Sequence, residues 1–292
     1  MPPGRGACWS FVAEKAAYNV FGLYPYDQRW RPALALILFA ALASVTLTRR
    51  FWSGRLLVAW PVVWPAMVAL MGGGLPGLPR AETRLWGGLP VTVGLTTTAL
   101  VVAYPLGLLL ALGRGSRLPV FRVFCVGWIE LVRGVPLVSI LVMTATVLPL
   151  FLPEGITVPR LVRAQVAFAM FASAYLAEVF RGGFLSVPKS QYEAAESLGL
   201  SSWHSLRLIV LPQALTNSIP GQVNTFIVVF KDTTLVLVIG IFDFFTTVKS
   251  GLGYAAWLGF STGAYLFAAF FYFVVSFTMS RYSQHLERMF RK

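Results

Sequence analysis

The sequence predicts an all-α fold, a polytopic transmembrane helical protein of about seven spans. Three observations carry that reading. Hydrophobic residues make up 57% of the chain and charged residues 12%, against the roughly 25% charged residues of a soluble domain. Apolar runs recur at close to the roughly 20 residues that cross a bilayer as helix. Lys and Arg gather in alternate loops, as cytoplasmic loops of membrane proteins do.

Along the chain, residues 1–31 hold no long apolar run, so neither a cleavable signal peptide nor a span is expected there. Spans are expected at 33–48, 56–75, 89–112, 134–152, 161–180, 217–242 and 261–280. The first is short, and the second carries Pro61, Pro65 and three glycines from Gly72. Residues 118–131, LPVFRVFCVGWIEL, read as a half-buried helix leading into the fourth span.

One set of loops holds Arg49, Arg50, Arg55, Arg114, Arg117, Arg122, Arg133, Arg181, Lys189, Arg207, Arg281, Arg288, Arg291 and Lys292, fourteen in all. The opposite loops hold five: Arg80, Arg84, Arg160, Arg163 and Lys249. The richer side is expected to be cytoplasmic, with the C-terminus inside. The net charge of +13 follows from this asymmetry, and no basic run with interleaved aromatics suggests nucleic acid. Seven spans then place residues 1–31 outside, although they carry Arg5, Lys15, Arg29 and Arg31 against Glu14 and Asp27. A further span upstream of Met1 would remove that conflict. Cys8, Cys125, His204 and His285 lie far apart, without disulfide or metal-ligand spacing.

Between the fifth and sixth spans lies SQYEAAESLGLSSWHSLRLIVLPQAL, residues 190–215. Ser190 and Glu193 have capping-box spacing, so a helix is expected from about Gln191. Gly199 ends it cheaply in a left-handed conformation. A second helix is expected from Ser201 or Ser202 to Pro212, where the backbone loses a donor. A two-turn helix is marginal in water, so this one expects a docking partner.

Tyr192 is followed by Glu193-Ala194-Ala195, three residues, Gly199, nine residues, Ile209, one residue and Leu211-Pro212. This spacing resembles the EAA loop of ATP-binding-cassette importer permeases, in which the loop is a coupling helix seated on a cytoplasmic ATPase. WGGLPVTVGLTTTAL, IELVRGVPL, AYLAEVFRGGF and NTFIVVFKDTTLVLVIG extend the resemblance over residues 86–287, toward the polar amino-acid branch and the longer permease of general L-amino-acid importers.

The resemblance implies a permease core of five helices at 86–282 with a coupling loop at 188–212. Residues 1–85 are then an N-terminal segment with two extra helices, and 283–292 a cytoplasmic tail. It implies an ATPase dimer that uses ATP and Mg, a second homologous permease (heterodimer favoured, homodimer open), a periplasmic amino-acid-binding protein, and residence in the bacterial inner membrane.

Glu130 with Arg133, and Glu178 with Arg181, repeat Glu-x-x-Arg-Gly, and residues three apart on a helix can pair. They are expected near cytoplasmic helix ends, as structural ion pairs or as braces of an inner gate. Lys231 and Asp232 are expected inside the sixth span. Lys231 falls about 21 Å along the helix from Asn217.

Adjacent charges do not share a helical face. Either the helix unwinds at 231–234, with Thr233 and Thr234 satisfying freed backbone groups, or each charge has its own partner. With Asn224, these residues are candidates for the translocation pathway. The alternative is a structural role between two permease subunits.

None of the five lysines follows a glycine, so the chain carries no Gly-Lys-Ser/Thr phosphate loop. No catalytic constellation or metal cluster stands out, and neither an enzymatic role nor a cofactor bound by this chain is expected. An ion-coupled secondary transporter is the alternative, for which broken helices in matching inverted halves would be the sign. A scaffold without transport is a weaker one.

Overall fold

A computed structural model describes residues 9–74, 77–257 and 259–290. Arg5, Cys8, Arg291 and Lys292, used in the sequence argument, lie outside the described residues. All seven expected spans fall on helical segments. They are α3 (Trp30–Leu47), α4 (Gly54–Gly72), α5 (Gly88–Arg114), α7 (Leu137–Thr146), α8 (Arg160–Leu185), α12 (Ile219–Asp232) with a 3-10 continuation, and α14 (Ser261–Phe290).

Among the described residues, four segments are long and apolar enough to cross a membrane: Tyr26–Leu47, Gly88–Arg114, Ile219–Ile239 and Ser261–Phe290. The bent pair formed by α6 (Pro119–Gly134) and α7 makes a fifth when it is taken as one span.

The chain forms two compact units. The first draws on residues 1–94, 159–161 and 233–272. In it, α3 and α4 pack as a hairpin, despite the short first run and the prolines of the second. Phe39 meets Trp60 and Trp64 edge-on at 6.0 and 6.2 Å. Arg31, expected as an outer-loop charge, is wholly buried. It donates from Nε to the Leu70 carbonyl at 2.8 Å and from Nη1 to the Pro79 carbonyl at 2.9 Å. A cation at the C-terminal end of α4 satisfies carbonyls that the helix leaves open.

The opening segment folds as α1 (Ser10–Glu14) and α2 (Ala16–Phe21). Both lie against α13 (Phe244–Gly251), a short helix started by Asp243, whose carboxylate accepts the Thr246 and Phe245 N–H groups at 2.9 and 3.3 Å. Thr247 Oγ1 donates to the Asn19 carbonyl at 2.9 Å, and the Tyr18 and Ser250 hydroxyls bond at 2.9 Å. Phe11, fully buried, meets Trp257 edge-on at 5.4 Å.

The approach requires glycines. Gly22 and Gly88 take φ of +60° and +67°. A Cβ on Gly22 would lie 2.8 Å from the Gly87 Cα, and one on Gly88 would collide with the Val20 carbonyl.

The second unit draws on residues 95–158, 162–232 and 273–292. The expected helix at 118–131 is α6. The expected straight span at 134–152 is not: α6 and α7 meet at 103°, and α7 gives way to a 3-10 turn over Leu148–Phe151. Pro136, with φ −57° and ψ 140°, is the cause, since it can start a helix but not continue one.

The long helix α8 is closely approached at two glycines. A Cβ on Gly107 of α5 would lie 2.9 Å from the Leu176 Cβ, and one on Gly221 of α12 would lie 2.8 Å from Val179. Such small residues let membrane helices pack by direct contact.

Gly88→Ala should add about 1–2 kcal/mol of left-handed strain to the collision with Val20, and so loosen the opening segment. The expected readout is tryptic cleavage after Lys15 under conditions that leave the wild type intact. Equal resistance would contradict this packing.

Candidate functional site

Residues 188–217 form a largely exposed helical segment of the second unit. Helix α9 (Lys189–Ser197) is exposed at every position but Ala195, which is fully buried. It starts earlier than expected. Pro188 is its N-cap, at φ −58° and ψ 141°, with no side-chain cap bond, so the Ser190–Glu193 capping box does not form. The proline sets an extended entry that lets the chain turn helical at once.

The C-terminal end is as expected. Gly199 takes φ +71°, its N–H donates to the Glu196 carbonyl at 2.9 Å, and the Leu200 N–H donates to the Ala195 carbonyl at 3.1 Å. This is a Schellman termination, which favours glycine at that position.

Next comes α10 (Ser202–Ser205), capped by the Ser201 hydroxyl. The helix does not stop at Pro212. It widens into a π turn over Leu206–Val210 and continues as α11 (Leu211–Asn217), with Pro212 in the first turn. The wider turn accommodates the residue that lacks an N–H. Ile209 and Leu211 are half-buried and Pro212 is exposed.

Val187, Val210 and Ala214, with Phe184 and Leu206, form an apolar cluster that binds the end of α8 to the π turn and α11. A Cβ on Gly183 would meet the Ser218 Cβ at 3.0 Å. Asn217 donates to Ser186 at 2.9 Å and Gln213 to Gln191 at 3.3 Å. Outside this base, Tyr192, Glu193 and Ala194 stay exposed, with Leu198 and Trp203 at 77% and 63%. The result is a held base beneath an uncovered face that is both apolar and acidic.

Beside it lies a charge cluster. Glu178, its side chain 17% exposed, accepts from Arg114 Nη1 at 2.7 Å and from Arg181 Nε and Nη2 at 3.0 and 2.9 Å. Arg133 Nη1 lies 3.7 Å away, with its guanidinium 5.5 Å from the Tyr175 ring centre. The Glu178–Arg181 pair is as expected. The Glu130–Arg133 pair is not: Glu130 takes Arg114 at 3.2 Å and Arg133 turns to Glu178. The better-shielded carboxylate holds the second arginine. Arg114 was read only as a cytoplasmic charge, and its signal was a basic residue ending a span.

In the sixth span the chain does not unwind at 231–234. Helix α12 ends at Asp232 and tightens into a 3-10 turn over Thr233–Ile239, which Gly240 ends at φ +74°. The faces separate as expected. Asn224, Val228 and Lys231 form an exposed stripe, Gln222, Thr225, Val229, Thr233 and Val236 a buried one, and Asp232 and Thr234 are half-buried. Tyr104 and Gln222, not singled out from sequence, bond at 3.2 Å, and Gln222 also donates to Ser218 Oγ at 2.7 Å.

A helical membrane component with an exposed helix between two of its spans is the class that the fold defines. Residues 103–292 match the binding-protein-dependent transport system inner membrane component, and the chain belongs to that family. It is similar to the inner membrane amino-acid ABC transporter permease protein YhdY of Escherichia coli, 49% identical over 98% of this chain and 78% of that protein. It is 36% identical to the glutamate/glutamine/aspartate/asparagine transport system permease protein BztC of Rhodobacter capsulatus, over 100% of this chain and 80% of that one. The crystal structure of an amino acid ABC transporter with histidines matches with TM-score 0.62 and 32% identity, over 69% of this chain and 92% of that chain.

Glu178→Gln should weaken charge-assisted bonds worth about 1.5–3 kcal/mol and lower the thermal midpoint in detergent. Glu130→Gln, at a side chain 58% exposed, should cost under about 1 kcal/mol. A reversed order would refute the cluster.

Proposed function

We propose that the chain is the permease subunit of an ATP-driven importer of polar or general L-amino acids in the bacterial inner membrane, with α9 as the helix that docks the partner ATPase. One observation carries the coupling role: an exposed helix, ended by Gly199, whose base is fastened to α8 and α11 by the Val187–Val210–Ala214 cluster. The amino-acid reading rests on the relatives, whose names specify amino-acid transport. The family implies a binding protein that delivers the substrate and an ATPase that supplies the work.

In this reading the chain is not catalytic, and ATP and Mg are used by the ATPase. Closure of the ATPase dimer moves α9. Because α9 shares its base with α8 and α11, the push reaches Glu178 on one helix and, through α12, Asn224, Lys231, Asp232, Thr233 and Thr234. Glu178, Arg181, Arg133 and Glu130 brace the inner end. The exposed Asn224–Val228–Lys231 stripe faces the pathway or a second permease, for which a related chain in a heterodimer is the favoured partner. The permease core is 86–282, residues 1–85 precede it, and 283–292 form the tail.

The sidedness has support from packing. If residues 190–215 are cytoplasmic, the 219–239 span carries residues 240–260 outside. The opening segment packs on α13 within that stretch, so it is outside as well, against its charge. Arg31 adds no outer-loop charge of consequence, because it is buried among carbonyls. The C-terminus is then cytoplasmic.

The complex with its ATPase, second permease and binding protein, reconstituted in vesicles, should hydrolyse ATP in response to amino acids. Glu193→Lys, which reverses an exposed charge on α9, should abolish that stimulation while the chain still folds and inserts. Gly199→Ala should reduce it less, since only the left-handed strain of about 1–2 kcal/mol stands against the alanine. Full stimulation in both variants would refute docking through α9.

A further inference from the structure

At the foot of α9 lies a cavity of about 520 Å³, lined by Arg114 and Arg181, the apolar side chains of Leu112, Phe184 and Leu206, and Tyr192 of α9 itself. Its basic wall has unspent donors. Arg114 directs only Nη1 at the two carboxylates, and Arg181 uses Nε and Nη2 on Glu178. Among the described residues, Nε and Nη2 of Arg114 and Nη1 of Arg181 have no acceptor.

The cluster as a whole is undercompensated. Three guanidinium groups, those of Arg114, Arg133 and Arg181, share the carboxylates of Glu130 and Glu178, which leaves one positive charge. A guanidinium with free N–H groups matches the oxygens of a phosphate, often in a bidentate fork.

We propose that this cavity binds a phosphate-bearing anion, and that its source is the headgroup of an acidic phospholipid of the leaflet in which α5 and α8 end. The remaining walls are apolar, which suits a ligand that carries hydrocarbon next to its phosphate and not a hydrated ion. Leu109 of α5 and Leu185 of α8, near the same helix ends, are 63% and 71% exposed and offer a surface for acyl chains. Basic pockets between helix ends on the cytoplasmic side are where acidic headgroups are held. The ligand would touch Tyr192 as well as Arg114 and Arg181, so its occupancy would set how firmly the docking helix is seated.

The coupling consequence rests on the importer reading, but the binding does not, and the test separates them. The complex is purified from the membrane, exchanged into nanodiscs of phosphatidylcholine with or without phosphatidylglycerol, and the retained lipids are counted by native mass spectrometry. Arg181→Gln removes a free donor, and Leu112→Trp fills the apolar wall without altering charge. Both variants should lose phosphatidylglycerol that the wild type retains, and the wild type should show a several-fold higher amino-acid-stimulated ATPase rate with that lipid than without it.

Equal retention in wild type and both variants would overturn the site. Inorganic phosphate that restores the rate in phosphatidylcholine alone would overturn the lipid source and leave a soluble anion as the ligand. Retention lost in the variants while the wild-type rate ignores the lipid would overturn the link to coupling. A wild type with no stimulated hydrolysis in either lipid would instead count against the importer reading, whatever the lipid count.

Discussion

The architecture depends on Glu178. A carboxylate near the end of an otherwise apolar helix is expensive unless paired, and here it is paired with several groups at once. Arg114 reaches it from the end of α5, Arg133 from α6 and Arg181 from one turn further along α8. One residue therefore ties three helical segments that apolar packing alone would leave free to slide. The α6–α7 corner at Pro136 leaves α6 where its Arg133 and Glu130 reach the cluster.

From that fixed end α9 is suspended. Only Ala195 of α9 is buried, so the helix gains little from its own packing and takes its position from its two attachments. At one end Val187 and Pro188 join it to α8. At the other, Gly199 reverses the chain so that the π turn can return beneath it. Short helices are unstable alone, and this one is held by the packing of its neighbours. The proline that widens the returning helix also sets where Val210 and Ala214 point.

Much of this was legible in the sequence, and the misses have physical causes. Apolar runs located the four segments long enough to cross a bilayer, because the length of a run is itself the constraint, but not the bend that breaks the expected span at 134–152. Gly199 was legible because a left-handed turn has few chemical solutions. The Ser190 cap was misplaced because a proline two residues earlier supplied the entry geometry without a side chain. The stop at Pro212 failed because a π turn absorbs a missing donor, which no local pattern announces. The Glu130–Arg133 pair failed for a different reason: spacing shows which residues can meet within a helix, but not that a helix sixteen residues away offers a better partner. The burial of Arg31 likewise depends on the α3–α4 hairpin, a tertiary fact.

The central claim is that α8 and α9 move as one body. Spin labels at Val162→Cys on α8 and Glu196→Cys on α9, both at exposed positions, measure it most directly in the assembled complex with and without ATP. The account predicts one unchanged distance distribution in both states, with any motion appearing between subunits. A distance that shifts or broadens on ATP binding would show α9 pivoting on α8, and force would then have to reach the spans by another route.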